Sequence, residues 1–407
     1  MSSEELHTAA LLFDSERLRL ARLARGMRKN QLAATCGVSA SAITQYELGR
    51  ARPRPAMLAK LALALAFPIG YFADDGRPRP RIDTSPAFFR SLSRTSQLQR
   101  DQAEAHATAV YDLVEAISAD VDLPAVALPE HSMSEAAPRG QIEQVAEAVR
   151  EQWEVPVGET LPSVVGLLEL HGAVVTRLPA ISPAVDAFSK LIEGRPIVVL
   201  WAGKDNARAR FDAAHELGHL VMHSDPEAGN HVLEQQANAF ASSLLMPRTL
   251  VLGLLPRRAP RAGEWEQLFV LKRRLGVSVA ALLYRARTLG TLSESAYRRA
   301  VVTMAERGWK TNEPRDLPTP EAPRLLRQAV ELLARNRGIN LSALAGRAHL
   351  PHELAAAILE TSPPRLSLPP TPPGVQASDA PRGMDAGRTG AVLKPVAIPS
   401  RTDGFRG

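Results

Sequence analysis

The segment Phe211-Asp212-Ala213-Ala214-His215-Glu216-Leu217-Gly218-His219-Leu220 constrains this chain more than any other. On a helix, His215 and His219 stand four residues apart and project from one face, one turn above the other. Two imidazoles so placed can hold one zinc ion. Glu216 then lies beside the open coordination position, where a carboxylate can take a proton from metal-bound water. Chance also produces this pattern, mostly on solvated helices. Here Phe211, Ala214, Leu217, Gly218, Leu220 and Val221 imply a buried helix, in which unpaired imidazoles and a carboxylate would be destabilising.

A third protein ligand is needed, because a hydrolytic zinc usually takes three and leaves one position for water. His223 stands eight residues from His215, about 12 Å along a straight helix axis. It can join the pair only if the helix breaks after His219, and a polar residue closing the helix is the plainer reading. His231 falls in an expected loop after Gly229 and Asn230, and is the fallback. The favoured third ligand is Glu234, which opens a second segment apolar at helical spacing through Ala237, Phe240, Ala241, Leu244 and Leu245. Asn238, one turn on, could orient a zinc-bound imidazole through that ring's other nitrogen.

At 407 residues the chain exceeds one ordinary domain. Its net charge of +6 permits contact with nucleic acid. A single cysteine, Cys36, excludes an intramolecular disulfide and any Cys-rich zinc finger, and points to the cytoplasm. Residues 1–7 carry Glu4 and Glu5 and lack the basic start and apolar run of a secretory signal. The most apolar stretch, residues 57–72, is interrupted by Lys60 and Pro68, so no membrane span is expected.

Residues 13–75 read as a compact helical unit. A first helix covers 16–25, Asn30 is placed to cap a second over 31–36, and Gly37 makes the turn. Ser39 caps a third helix running to Leu48, and Pro53 and Pro55 precede a fourth over 57–66. Two short helices around a glycine turn are the pattern of a helix-turn-helix. Basic residues dominate its surface, among them Arg17, Arg22, Arg50 and Arg52, which suits phosphate contact. Candidates for DNA contact are Gln31, Ser39, Ser41, Thr44, Gln45 and Arg50, with Ser41, Thr44 and Gln45 at the major groove. A basic bundle that binds protein is the competing reading. Cys36, Tyr46 and Leu48 are expected in the core.

The stretch 77–81 reads as a linker, followed by a polar helical stretch with Phe88, Phe89 and Leu92 near its start that runs to residue 117. The mixed region that follows has helices over 141–153 and 161–171, then strand-like runs over 173–176 and 196–200. Further helices are expected over 265–275 and 279–288. Residues 323–360 suggest a small three-helix cap, with a degenerate second helix-turn-helix as the alternative. Residues 361–407, rich in Pro, Gly and Ser, are expected to be disordered.

Two segments resemble known families. Gln31-Leu32-Ala33, Val38-Ser39, the run from Ile43 to Gly49 and Arg50-x-Arg52-Pro53 resemble an XRE/Cro-type DNA-binding domain. Arg210-Phe211-x-x-Ala214-His215-Glu216-Leu217-Gly218-His219, Glu234-x-x-Ala237-Asn238-x-Phe240-Ala241 and Leu244-Leu245-Met246-Pro247 resemble an ImmA/IrrE-type metallopeptidase. The second resemblance implies His215, His219 and Glu234 as zinc ligands and Glu216 as general base. Members of that family cleave or inactivate repressor proteins, and some fused members are described as regulators without shown proteolysis.

The expected fold class is therefore mostly α. A helix-turn-helix bundle (13–75) and connecting helices (76–139) precede an α+β zincin-like metallopeptidase domain with a small sheet (140–305). A C-terminal helical piece (320–360) and a disordered tail (361–407) complete it. The expected function is a homodimeric regulator that binds double-stranded operator DNA and carries a Zn²⁺-dependent endopeptidase acting on a repressor. The alternative is a transcription factor whose metallopeptidase-like domain senses metal or ligand, or docks a partner in an antitoxin-like role.

Overall fold

The computed structural model describes residues 3–74, 76, 96–178, 187–201, 205–223, 230–310, 312–317 and 321–359. The linker expected at 77–81, the aromatic residues Phe88 and Phe89, and the tail at 361–407 lie outside them. The described chain is mostly helical with one small sheet, the fold class its sequence pattern implied.

Five helices open the chain: α1 (Ser3–Leu11), α2 (Ser15–Ala24), α3 (Lys29–Cys36), α4 (Ala40–Glu47) and α5 (Pro55–Leu65). The Asp14 carboxylate accepts from the Glu16 and Arg17 amides to start α2, and the Ser39 side chain accepts from the Ala42 amide to start α4. Helix α3 begins earlier than its sequence suggests. Arg28, not Asn30, is its cap residue, and the Gln31 side chain accepts from the Arg28 amide at 2.7 Å. Gly37, at φ +70°, reverses the chain between α3 and α4. Backbone bonds from Asp14 to Phe72 and from Asp74 to Leu12 then close the unit.

Two of the arginines expected on the phosphate-attracting surface are inside. Arg22 grips Glu47 with Nε to Oε1 at 2.5 Å and Nη2 to Oε2 at 3.0 Å. Arg17 forms a bidentate pair with Asp112, one arm at 2.9 Å. A planar guanidinium suits such pairs, and burial makes each a structural device rather than a DNA contact. Leu48, expected in the core, is 54 % exposed because the chain leaves α4 there.

Asp112 belongs to α6 (Gln97–Ser118), which is buried almost continuously from Ala103 to Ile117. Its alanines let neighbours approach closely on several sides. Gln102 Nε2 and His106 Nε2 both reach the Ala24 carbonyl, at 3.3 and 3.2 Å, satisfying the exposed end of α2.

The sheet has the order β1 (Val174–Leu178), β3 (Arg195–Trp201), β2 (Ala187–Ile192), with β1 parallel and β2 antiparallel to β3. Strand β2 had no clear sequence signal. Alternate residues of the strands enter different cores, as the period of two requires. Val174, Phe188, Ile197, Val199 and Trp201 pack into the core shared with α6, the N-terminal helices and α15 (Leu325–Arg337), α16 (Leu341–Arg347) and α17 (His352–Leu359). Val175, Ala187, Val198 and Leu200 face the other core. That core is built from α7 (Arg139–Gln152), α8 (Val164–Leu170), α9 (Asn206–Met222), α10 (His231–Leu245), α11 (Arg248–Val251), α12 (Glu264–Leu275), α13 (Val279–Thr288) and α14 (Glu294–Glu306).

Candidate metal centre

Helix α9 carries the two histidines and is started by the Asp205 side chain, which accepts from the Arg208 amide at 2.9 Å. Its last carbonyls, Val221 and Met222, accept from the amides of His131 and Met133 at 2.8 and 3.0 Å. The segment ahead of α7 therefore buttresses the end of the histidine helix. Helix α10 crosses α9 closely at Gly218. A Cβ there would stand 2.9 Å from the Phe240 ring and 3.3 Å from the Ala237 Cα, so only glycine permits this approach.

That approach brings Glu234 to the histidine pair. The Nε2 atoms of His215 and His219 lie 3.0 Å apart, and the Glu234 carboxylate straddles them, Oε2 at 3.4 Å from the first and Oε1 at 3.4 Å from the second. Bonds of about 2.0–2.2 Å from a tetrahedral zinc would separate its ligand atoms by roughly 3.3–3.5 Å. The observed spacings fit such an ion, and two imidazoles with one carboxylate are a donor set that zinc favours over magnesium. Among the described residues these three form a group able to hold a metal ion. Both histidines are buried. Burial disfavours charge on Glu234, yet its contacts with His215 and His219 hold its carboxyl well below the usual range.

His231 opens α10 rather than lying in a loop. It is exposed, near the Gln235 amide at 3.2 Å, and stands outside this group. Asn238 donates to the Glu234 backbone carbonyl at 2.7 Å. The imidazole contact expected of it is made instead by His223, just past the end of α9. His219 Nδ1 meets His223 Nδ1 at 3.0 Å, His223 Nε2 meets Gln236 Oε1 at 2.9 Å, and Gln236 Nε2 donates to the Ser134 carbonyl at 2.8 Å. With a metal ion at the site and His223 neutral, the chain of bonds would take the following proton arrangement. Gln236 can only accept from His223 Nε2, so His223 Nδ1 accepts from His219 Nδ1, and His219 Nε2 keeps its lone pair toward the site. Burial pushes His223 down to about 4, which keeps it neutral for this role.

Glu216 is 1 % exposed and points to the sheet, where Ser189 Oγ on β2 donates to its Oε2 at 2.7 Å. Sequence reading missed Ser189 and Gln236 as site residues, and it weighed His223 only as a metal ligand, not as a partner of His219.

At the N-terminal unit, Gln31, Ser39, Ser41 and Arg50 are exposed, and Thr44 and Gln45 are half-buried. Three of these side chains also serve the helices locally. Gln31 accepts from Arg28, Ser39 from Ala42, and the Thr44 hydroxyl donates to the Ala40 carbonyl at 3.0 Å.

The chain thus joins a helix-turn-helix bundle to a second part in which two crossed helices on a small sheet bring together three residues that could hold a metal ion. Comparison with known families places both parts. Residues 18–72 match the family model described as helix-turn-helix, and residues 168–287 match a peptidase family model described as the IrrE N-terminal-like domain. The chain is thus a fusion of a helix-turn-helix domain with an IrrE-like domain of a peptidase family. None of the curated proteins compared with it matches. No described helix is long and apolar enough to cross a membrane.

Proposed function

We propose that the chain is a DNA-bound transcriptional regulator whose IrrE-like domain is a zinc-dependent endopeptidase that cleaves a repressor or similar regulatory protein. The convergence of His215, His219 and Glu234, with Glu216 beside them, inside a domain of a peptidase family carries this reading. His215, His219 and Glu234 would hold zinc, which when bound polarises the scissile carbonyl and acidifies water. Glu216 would take the proton from the attacking water on Oε1, the oxygen that Ser189 does not engage, and pass it to the leaving amine. Ser189 would keep the carboxylate aimed, and His223 with Gln236 would keep the His219 lone pair turned inward.

On the N-terminal unit, Ser41, Thr44 and Gln45 of α4 would read base edges, with Gln31, Ser39 and Arg50 on the flanking backbone. Operator half-sites would favour a two-fold dimer. The test combines zinc analysis of the purified chain with a screen of cellular repressors for cleavage by wild type and Glu216→Gln. A repressor cut by the first and spared by the second supports the reading. Zinc retained after His215→Ala with His219→Ala removes it.

A further inference from the structure

One helical turn along the α9–α10 pair from the candidate metal centre lies a cavity of about 660 Å³. Phe211, four residues before His215, and Asn238, four residues after Glu234, line it, each about 6 Å along its helix axis from the metal-ligand residue. Ile142 and Tyr284 add apolar wall, and Arg139 and Ser242 are among its polar groups, with Glu135, Gln235 and Gln236.

Arg139 and Ser242 are incompletely used. Arg139 Nε and Nη2 are buried and meet no hydrogen-bond acceptor among the described residues, and the same holds for Ser242 Oγ. Glu143 Oε1 lies 3.9 Å from Arg139 Nε but already accepts from Arg285 Nη1 at 2.6 Å. The region carries an excess of positive charge. Arg285 is held below its usual value by burial, against the pull of Glu143, and further by the like charges of Arg139 and Arg248. Glu135, also at the cavity, opposes this in part, and its Oε1 accepts from Asn230 at 2.6 Å. A half-exposed guanidinium whose sheltered Nε and Nη2 are idle, in the same cavity as an unpartnered hydroxyl, matches an incoming carboxylate, to which it can present two parallel donors.

We propose that this cavity is a recognition pocket for an acidic side chain of the protein substrate, glutamate in particular, next to the bond to be cut. Arg139 binds the carboxylate and Ser242 adds one donor. Phe211, Ile142 and Tyr284 cover the methylene stem. The substrate role rests on the peptidase reading above. The pocket itself can be tested without hydrolysis.

The test is titration of the full chain, stripped of metal by a chelator so that no carboxylate binds at the metal centre. The probes are N-acetyl-glutamate amide, its neutral isostere N-acetyl-glutamine amide, and N-acetyl-glutamine free acid, followed by NMR. The glutamate probe should bind at least about tenfold tighter than the other two, the gain expected of one charge-assisted bidentate contact. Arg139→Gln should abolish the difference. Ser242→Ala should reduce it severalfold, and it answers the question if the arginine variant does not fold. Equal binding of the two amides, a preference that survives Arg139→Gln, or tighter binding of the free acid overturns the proposal. The preference retained by a chain that cleaves no protein upholds the pocket and removes the peptidase reading. A substrate cleaved at unchanged rate after glutamate-to-glutamine replacement of every residue flanking its cut site removes the pocket and keeps that reading.

Discussion

Ser189 donates a 2.7 Å hydrogen bond to Glu216, so an edge strand of the sheet holds the carboxylate that stands beside the His215–His219 pair. The next residue on the strand, Lys190, points to the opposite face and meets Glu104 of α6 at 4.0 Å. Strand β2 therefore links the candidate centre to the helix on which the N-terminal unit is docked.

Ser189→Ala should leave metal content unchanged and lower the hydrolytic rate by about 10–100-fold, the usual effect of losing an outer partner. Zinc stoichiometry and cleavage rate measured on the same preparation check this. An unchanged rate would mean that the serine does not aim Glu216.

His223→Ala and Gln236→Ala should each weaken zinc affinity by about 10–100-fold, because either change releases the proton arrangement that turns the His219 lone pair inward. Competition with a zinc chelator of known affinity reads the effect. His231→Ala should leave affinity at the wild-type value.

Arg22 and Arg50 should behave oppositely. Removing Arg22 leaves the buried Glu47 carboxylate with only the longer Lys29 contact at 3.5 Å, and Arg22→Ala should lower folding stability by up to about 3 kcal/mol. Arg50→Ala should leave stability intact and reduce the salt slope of DNA binding by about one. Denaturant melts and binding at several salt concentrations separate the two.

The interface between α2 and α6 should weaken in acid. Burial holds His106 below the usual imidazole range, with Arg25 adding to the effect and the bond to the Ala24 carbonyl opposing it. Near the ordinary value of about 6.5 the unfolded chain takes up a proton that the folded chain still refuses. The stability is fully present above that pH and is lost as pH falls below it. Replacing His106 with Gln should flatten the pH dependence of unfolding free energy below about pH 6.5, by at most about 1.4 kcal/mol per pH unit.

How much of this was legible in the sequence follows from the range of each interaction. The histidine helix, the second packed helix and the strand-like runs at β1 and β3 rest on local periodicity, and the structure forms all of them. Strand β2 reads Ala-Phe-Ser-Lys-Leu-Ile, without the β-branched run that marks β3, and its pairing with β3 is what makes it a strand. Ser189, His223 and Gln236 become site residues only through tertiary contact, and a serine or glutamine carries no local mark of such a partner. Arg17 and Arg22 read as surface charge because Asp112 is 95 residues from the first and Glu47 is 25 from the second. The alanine-rich face of α6 looked like a connector, since small residues give weak periodicity while allowing close packing on several sides.

The central claim is that Glu216 is the base of a metal-dependent hydrolysis. Its most direct test is the cleavage rate of an identified repressor by zinc-loaded wild type and Glu216→Gln. The glutamine keeps the size of the side chain and leaves His215, His219 and Glu234 untouched, so zinc content and DNA binding should stay the same. Hydrolysis should fall by at least about 10²–10⁴-fold, the usual contribution of a general base. Equal cleavage rates for the two proteins at equal zinc content would contradict the account.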